Sequence, residues 1–243
     1  YLLMMFYTVI AGWLLYYFAE MLRDGFGGLD TDGVAAKFGD LLSRPGTMTF
    51  YMALVVALGM LVCAQGLRNG VERVNKIMML CLLALMVVLA VNSVLLPGAE
   101  EGLRFYLQPN FRNLVYDAQG NWILGEAVFA AMGQAFFTLS LGIGAIAIFG
   151  SYIGKEHRLA GEALRIGVLD TCVAFVAGLI IFPACSAFGV STGEGAALVF
   201  ITLPNIFNHL PMGRLWGGAF FLFLSFAALS TVIAVFENII SFT

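Results

Sequence analysis

The groups able to do chemistry in this chain are polar residues set inside long apolar runs. Residues 127–153, AVFAAMGQAFFTLSLGIGAIAIFGSYI, carry Gln134, Thr138, Ser140, Gly142 and Gly144 at their centre. Each glycine costs about 1 kcal/mol in a helix interior relative to alanine. Two of them beside a Thr and a Ser predict a helix broken into halves. The alternative is an unbroken helix packed closely through its small residues, with the hydroxyls bonded back to their own backbone. A break inside a bilayer is tolerated only where protein, water or a ligand satisfies the freed groups. Half-helix ends then offer carbonyls to a cation and N–H groups to an anion. Asp170, in GVLDTCVAF, is a carboxylate within an apolar run. At mid-membrane it costs on the order of 3 kcal/mol, so it reads as a cation ligand, a proton relay or an interfacial partner of Arg165. Ser230 and Thr231, in FAALSTVIAVFENII, join the carbonyl of Ala227 as neutral oxygens suited to a hard monovalent cation, or bond back along their own helix. Tyr7 can bond a carboxylate or serve as a packing aromatic.

No catalytic set accompanies them. The two histidines, His157 and His209, lie in loops, and no His, Cys or carboxylate cluster has metal-ligand spacing. Neither a nucleophile elbow nor a phosphate loop is present. Cys63, Cys81, Cys172 and Cys185 all sit in apolar stretches and read as small buried hydrophobes. These absences argue against an enzyme.

The elements that must position these residues are membrane helices. The 243 residues are 61% hydrophobic and 11% charged, whereas a soluble domain carries about 25% charged residues. Surface grows too fast relative to volume for a globule of this size to hide so much apolar area. Net charge is −3, so no basic face invites nucleic acid. Six stretches are long enough to cross a bilayer: about 1–21, 48–66, 75–97, 127–153, 166–190 and 215–243. Residues 196–210 are too short and proline-broken to cross, and predict an outer re-entrant turn or short helix. The expected fold class is an all-α polytopic membrane protein, with 1–243 forming a single transmembrane domain. Loops 67–76 and 154–165 hold Arg68, Arg73, Lys76, Lys155, Arg158 and Arg165, so the positive-inside rule places both in the cytoplasm. Tyr1 already lies in one apolar run and Thr243 closely follows another, so the chain reads as a fragment cut at both ends.

In GQAFFTLSLGIGAIAIFGSYI (133–153) the chain closely resembles the sixth helix of neurotransmitter:sodium symporters, bacterial type. FYTVIAGWLLYYF (6–18) resembles the third helix, GVERVNKIMM (70–79) the start of the fifth and AGLIIFPACSAFG (177–189) the seventh. GAALVFITLPNIF (195–207) resembles the fourth outer loop and FAALSTVIAVFE (226–237) the eighth helix. The resemblance implies a partial inverted-repeat core of five plus five helices with a broken central helix, a family known for midplane sites in discontinuous helices. It implies sodium-coupled import of an amino acid or related small amine by alternating access, in the plasma or inner cell membrane. A non-transporting membrane sensor on the same fold is the alternative.

Position by position, the resemblance makes Leu3 and Tyr7 pocket residues, with Tyr7 on the substrate carboxylate, and Phe137 an aromatic lid. Thr138 serves a first sodium and the substrate, and Ser140 and Ile143 contact substrate. Asp170 stands where the family commonly has an Asn ligand of that sodium. Ala227, Ser230 and Thr231 supply a second sodium, and Thr231 and Val235 reach the pocket. The extra negative charge at Asp170 implies a chloride-independent protein, since chloride-dependent relatives take that charge from a halide near the positions of Gln134 and Thr138. The implied partners are a small amino-acid substrate and the lipid bilayer, with no nucleic acid. Nothing in the sequence fixes an oligomeric state.

Overall fold

Aliphatic and aromatic runs without interior proline, such as LLMMFYTVIAGWLLYYFAEML, have one way to satisfy their backbone in an apolar medium, and it is the helix. The computed structural model is accordingly helical, and describes residues 2–65, 71–117, 119–142, 150, 158–189, 198–210 and 212–240. The helices are α1 (Leu2–Leu22), α2 (Thr31–Ser43), α3 (Pro45–Gln65), α4 (Val71–Val94), α5 (Ala99–Leu107), α6 (Phe111–Val115), α7 (Leu124–Thr138), α8 (Leu159–Phe188), α9 (Leu203–His209) and α10 (Gly213–Ile240). A wide turn of π type, Leu198–Thr202, leads into α9. Among the described residues the only extended pairing is an isolated bridge between Tyr116 and Trp122. Among the described residues four helices are long and apolar enough to cross a membrane: Leu2–Leu22, Pro45–Ala64, Leu159–Phe188 and Gly213–Phe236. Met79–Val94 and Ala99–Leu107 pass the same test together, bent by 116°. The stretch 127–153 falls on α7, which stops at Thr138, and continues beyond Gly142 largely outside the described residues.

The packed centre lies where α1 meets α3 and α10. A Cβ on Gly12 would stand 2.8 Å from the Met52 backbone nitrogen, so α1 and α3 cross almost backbone to backbone. A Cβ on Gly59 of α3 would stand 3.1 Å from the Phe236 ring and 3.2 Å from the Val232 side chain of α10. Small residues permit this approach where lipid supplies no hydrophobic drive between helices. Tyr17, fully buried, packs its ring on Phe26, Phe200 and Phe221, which ties the turn after α1 and the 198–209 segment to this centre.

A second body of packing joins α5 to α8. Gly98, at φ +87°, makes the sharp turn out of α4. Ser186 donates to the Gly98 carbonyl at 2.9 Å, and Tyr106 donates to the Phe175 carbonyl at 3.2 Å. The Tyr106 ring lies on Gly178 and stacks on Phe182, while Gly102 meets the Phe182 carbonyl and Pro183. Pro183 lacks the N–H that would bond one turn back, yet α8 runs on to Phe188. It ends at Gly189, in the left-handed region at φ +62°.

Candidate functional site

The end of α7 is built from its last four residues. The Ser140 N–H bonds the Phe137 carbonyl at 3.2 Å, and the Leu141 N–H bonds the Phe136 carbonyl at 2.9 Å. This is a Schellman closure, in which the residue past the cap takes a left-handed conformation. That residue is Ser140, at φ +53°, where glycine is usual. Gly142 follows at φ +84°. The helix therefore breaks where the cluster of Thr, Ser and Gly predicts. Gly144, which shares in that expectation, and Ile143 lie outside the described residues. The closure occupies the carbonyls of Ala135, Phe136 and Phe137. The carbonyl of Thr138 accepts no hydrogen bond among the described residues.

Thr138 is the last residue of α7, and its hydroxyl donates to the Asp170 carboxylate, 2.9 Å from one oxygen and 3.1 Å from the other. Asp170 is half-buried, about three turns into α8. Arg165 instead pairs with Glu162 at 2.8 Å, one turn along its own helix. Thus a hydroxyl, a carboxylate and a helix C-terminus, the negative end of the helix dipole, converge. Such a set attracts a small cation and offers it only hard oxygen ligands.

A second oxygen cluster sits in α10. Ser230 donates to the Ala227 carbonyl at 2.7 Å, and Thr231 donates to the same oxygen at 3.3 Å. The local back-bonding that such residues favour thereby gathers three neutral oxygens at one point. Described side-chain contacts do not join this trio to Thr138 and Asp170. Val235, one turn further, is buried.

The remaining candidate residues are more dispersed. Leu3 and Tyr7 are half-buried on α1, and the Tyr7 hydroxyl makes no hydrogen bond among the described residues. Phe137 is 60% exposed, and no described residue of α7 is buried.

The sequence predicts an outer re-entrant turn or short helix over 196–210, and does not reveal the clasp that its described residues form. Asn205 donates to the Thr31 hydroxyl at 2.8 Å, and Asn208 donates to the carbonyls of Phe26 and Leu29 at 2.8 and 3.2 Å. His209 stacks on Phe188, with ring centroids 4.5 Å apart. The available signal was a pair of carboxamides three apart in an apolar helix, PNIFNH.

Membrane-length helices, a helix that stops mid-sequence and hard oxygens gathered at the break define a polytopic membrane protein of the discontinuous-helix kind. The chain belongs to the sodium:neurotransmitter symporter family, whose family model matches residues 33–243. It is 35% identical, over 241 residues, to an uncharacterized sodium-dependent transporter of Bacillus subtilis (strain 168), covering 99% of this chain and 51% of that protein. It is 30% identical, over 194 residues, to the sodium- and chloride-dependent taurine transporter of Rattus norvegicus, covering 75% of this chain and 30% of that protein. The crystal structure of MhsT in complex with L-phenylalanine superposes with a TM-score of 0.87 at 39% identity, over 97% of this chain and 52% of that one. The chain thus spans about half the length of the Bacillus relative and of MhsT.

Proposed function

We propose that the protein carrying this chain imports an amino acid or related small amine, driven by sodium and independent of chloride. The observation that carries the reading is the Thr138–Asp170 contact at the C-terminal end of α7. On this reading a first sodium takes the oxygens of Thr138 and Asp170. A second takes the Ala227 carbonyl with the Ser230 and Thr231 hydroxyls, whose lone pairs remain available while their protons point at that carbonyl. Bound sodium favours the substrate-competent state, and the gradient turns that linkage into uptake.

Leu3, Tyr7, Phe137, Thr138, Ser140, Ile143, Thr231 and Val235 form the proposed substrate pocket. The half-buried, unbonded hydroxyl of Tyr7 is free for a carboxylate. The Asp170 charge balances sodium without a halide, in contrast to relatives named as chloride-dependent. Loops 67–76 and 154–165 face the cytoplasm of a cell membrane in this arrangement. A structural relative was crystallised with L-phenylalanine, so that amino acid is the first substrate to try.

The test is uptake of labelled amino acids by the complete protein in proteoliposomes, with and without an inward sodium gradient, and with gluconate replacing chloride. Accumulation that follows sodium and ignores chloride is expected. Sodium-dependent binding without accumulation would replace the reading with a sensor, and uptake that needs chloride would remove the role given to Asp170.

A further inference from the structure

Helix α5 has two faces of opposite use. Gly102 and Tyr106 press against α8, as described above, and Ala99 on the same side is buried. The opposite stripe, Glu101, Arg104, Phe105 and Gln108, follows the i, i+3, i+4, i+7 spacing of a single helix face. Together with Pro109, Asn110, Phe111 and Asn113 it lines a groove of about 610 Å³. Glu101 and Arg104 carry opposite charges one turn apart, yet neither side chain has an ion-pair or hydrogen-bond partner among the described residues. Two unpaired opposite charges facing one groove fit a ligand that carries both signs.

The surroundings indicate where that ligand resides. Helix α5 lies at the ends of α4 and α8 remote from the basic loops. The flanking side chains are apolar and open: Phe105 is 70% exposed, Phe111 72% and Trp122 64%. Tyr116 packs edge-on against Trp122. Exposed aromatics of this kind belong at the headgroup level of a bilayer, where a ring is half in water and half in lipid. Within α5 and α6 the acids Glu100 and Glu101 balance Arg104 and Arg112, and Asp117 follows as a further acid, so an anionic lipid gains no net attraction.

We propose that the α5–α6 groove binds the headgroup of a zwitterionic phospholipid with a primary ammonium, the ammonium at Glu101 and the phosphate at Arg104. Helix residues three apart hold their Cβ atoms about 5–6 Å apart, the scale of the two-carbon link between those two charges. An arginine fork suits phosphate oxygens, and the three N–H donors of a primary ammonium suit a carboxylate. A trimethylated ammonium has no such donors.

The experiment counts lipids bound to the complete purified protein by native mass spectrometry, in competition among phosphatidylethanolamine, phosphatidylcholine and phosphatidylglycerol. The expected preference for phosphatidylethanolamine is roughly fivefold, the size of one exposed charge-assisted contact. Arg104→Gln and Glu101→Gln should each remove it, and Arg104→Lys should keep part of it. Sodium-dependent substrate binding, unchanged in all three, certifies the fold and separates this result from the proposed transport activity. Equal binding of the three lipids, preference for phosphatidylglycerol, or a preference that survives both neutral variants would overturn the proposal. So would saturation of the groove by free phosphoethanolamine or a free amino acid, which would make its ligand a soluble zwitterion.

Discussion

Replacing Asp170 with Asn isolates the charge on which the proposed first cation site depends. The carboxamide keeps an oxygen for the Thr138 hydroxyl, now 2.9 and 3.1 Å from the two carboxylate oxygens, and changes almost no volume. What is lost is one negative charge at the C-terminus of α7. A unit pair about 4 Å apart is worth about 4 kcal/mol at an effective dielectric constant near 20, and about 1 kcal/mol in water. Asp170 is half-buried, so an intermediate of about 2 kcal/mol is appropriate after solvent screening. That corresponds to a roughly thirtyfold rise in the sodium concentration for half-maximal uptake. The variant should also acquire stimulation by chloride, because a halide can restore the missing charge. Initial rates of amino-acid uptake in proteoliposomes, titrated with sodium in chloride and in gluconate, measure both effects. A sodium requirement within about twofold of the parent, far below the shift expected from that charge, would refute the argument. So would a variant indifferent to chloride.

Three further outcomes are expected. Gly178→Ala should lower the thermal unfolding temperature, because its Cβ would enter the Tyr106 ring; overpacking of this kind costs about 1–3 kcal/mol. Adding Tyr106→Ala should recover part of the loss, which a double-mutant comparison of melting temperatures reads directly. Ser140→Gly should raise thermal stability by about 1 kcal/mol by relieving the left-handed strain at φ +53°, while weakening substrate binding if its hydroxyl contacts substrate. A fall in stability would contradict the strain argument. At the exposed turn after α6, the Asn121 side chain and backbone hold the Asp117 carboxyl below the usual aspartate range, aided by the Gln119 and Gly120 amides. Its contribution is therefore present above the ordinary aspartate value and lost as pH falls through the lower folded one. Hydrogen exchange should show the Gln119 and Asn121 amides still protected near about pH 4, where an ordinary aspartate is half protonated, and deprotected only in stronger acid.

Helix existence was legible because lipid removes the alternatives: an apolar run of sufficient length has to close its own hydrogen bonds. The break after Thr138 was legible too, since Ser140, Gly142 and Gly144 are poor helix interior residues gathered in one place. Its mechanism was not. Glycine is the usual left-handed residue, so nothing in the chain marks Ser140 rather than Gly142 as the residue past the cap. The Thr138–Asp170 meeting joins residues 32 apart in sequence and rested on family resemblance, because spacing across two helices sets no distance. The Asn205–Thr31 and Asn208–Phe26 clasp spans still more chain. Carboxamides in an apolar helix announce that a partner exists without naming it.

The two oxygen clusters differ in charge, and that difference bears on coupling. Thr138 and Asp170 together carry a full negative charge, whereas Ala227, Ser230 and Thr231 carry none. On the proposed assignment, sodium at the first is neutralised on binding, while sodium at the second keeps its charge. The neutral trio must then rely on ion–dipole attraction, which the loss of one hydroxyl weakens directly. Thr231→Val removes an oxygen at nearly constant volume and should weaken sodium binding by roughly tenfold, the worth of one hydrogen-bond-strength contact to a charged group. It should leave the chloride indifference of the parent intact, because the charge of Asp170 is untouched. Asp170→Asn changes both properties together. The pair of variants therefore separates charge from oxygen count. If Thr231→Val behaved like Asp170→Asn in chloride, the two clusters would not be independent sites, and the division of roles between α7 with α8 and α10 would fail.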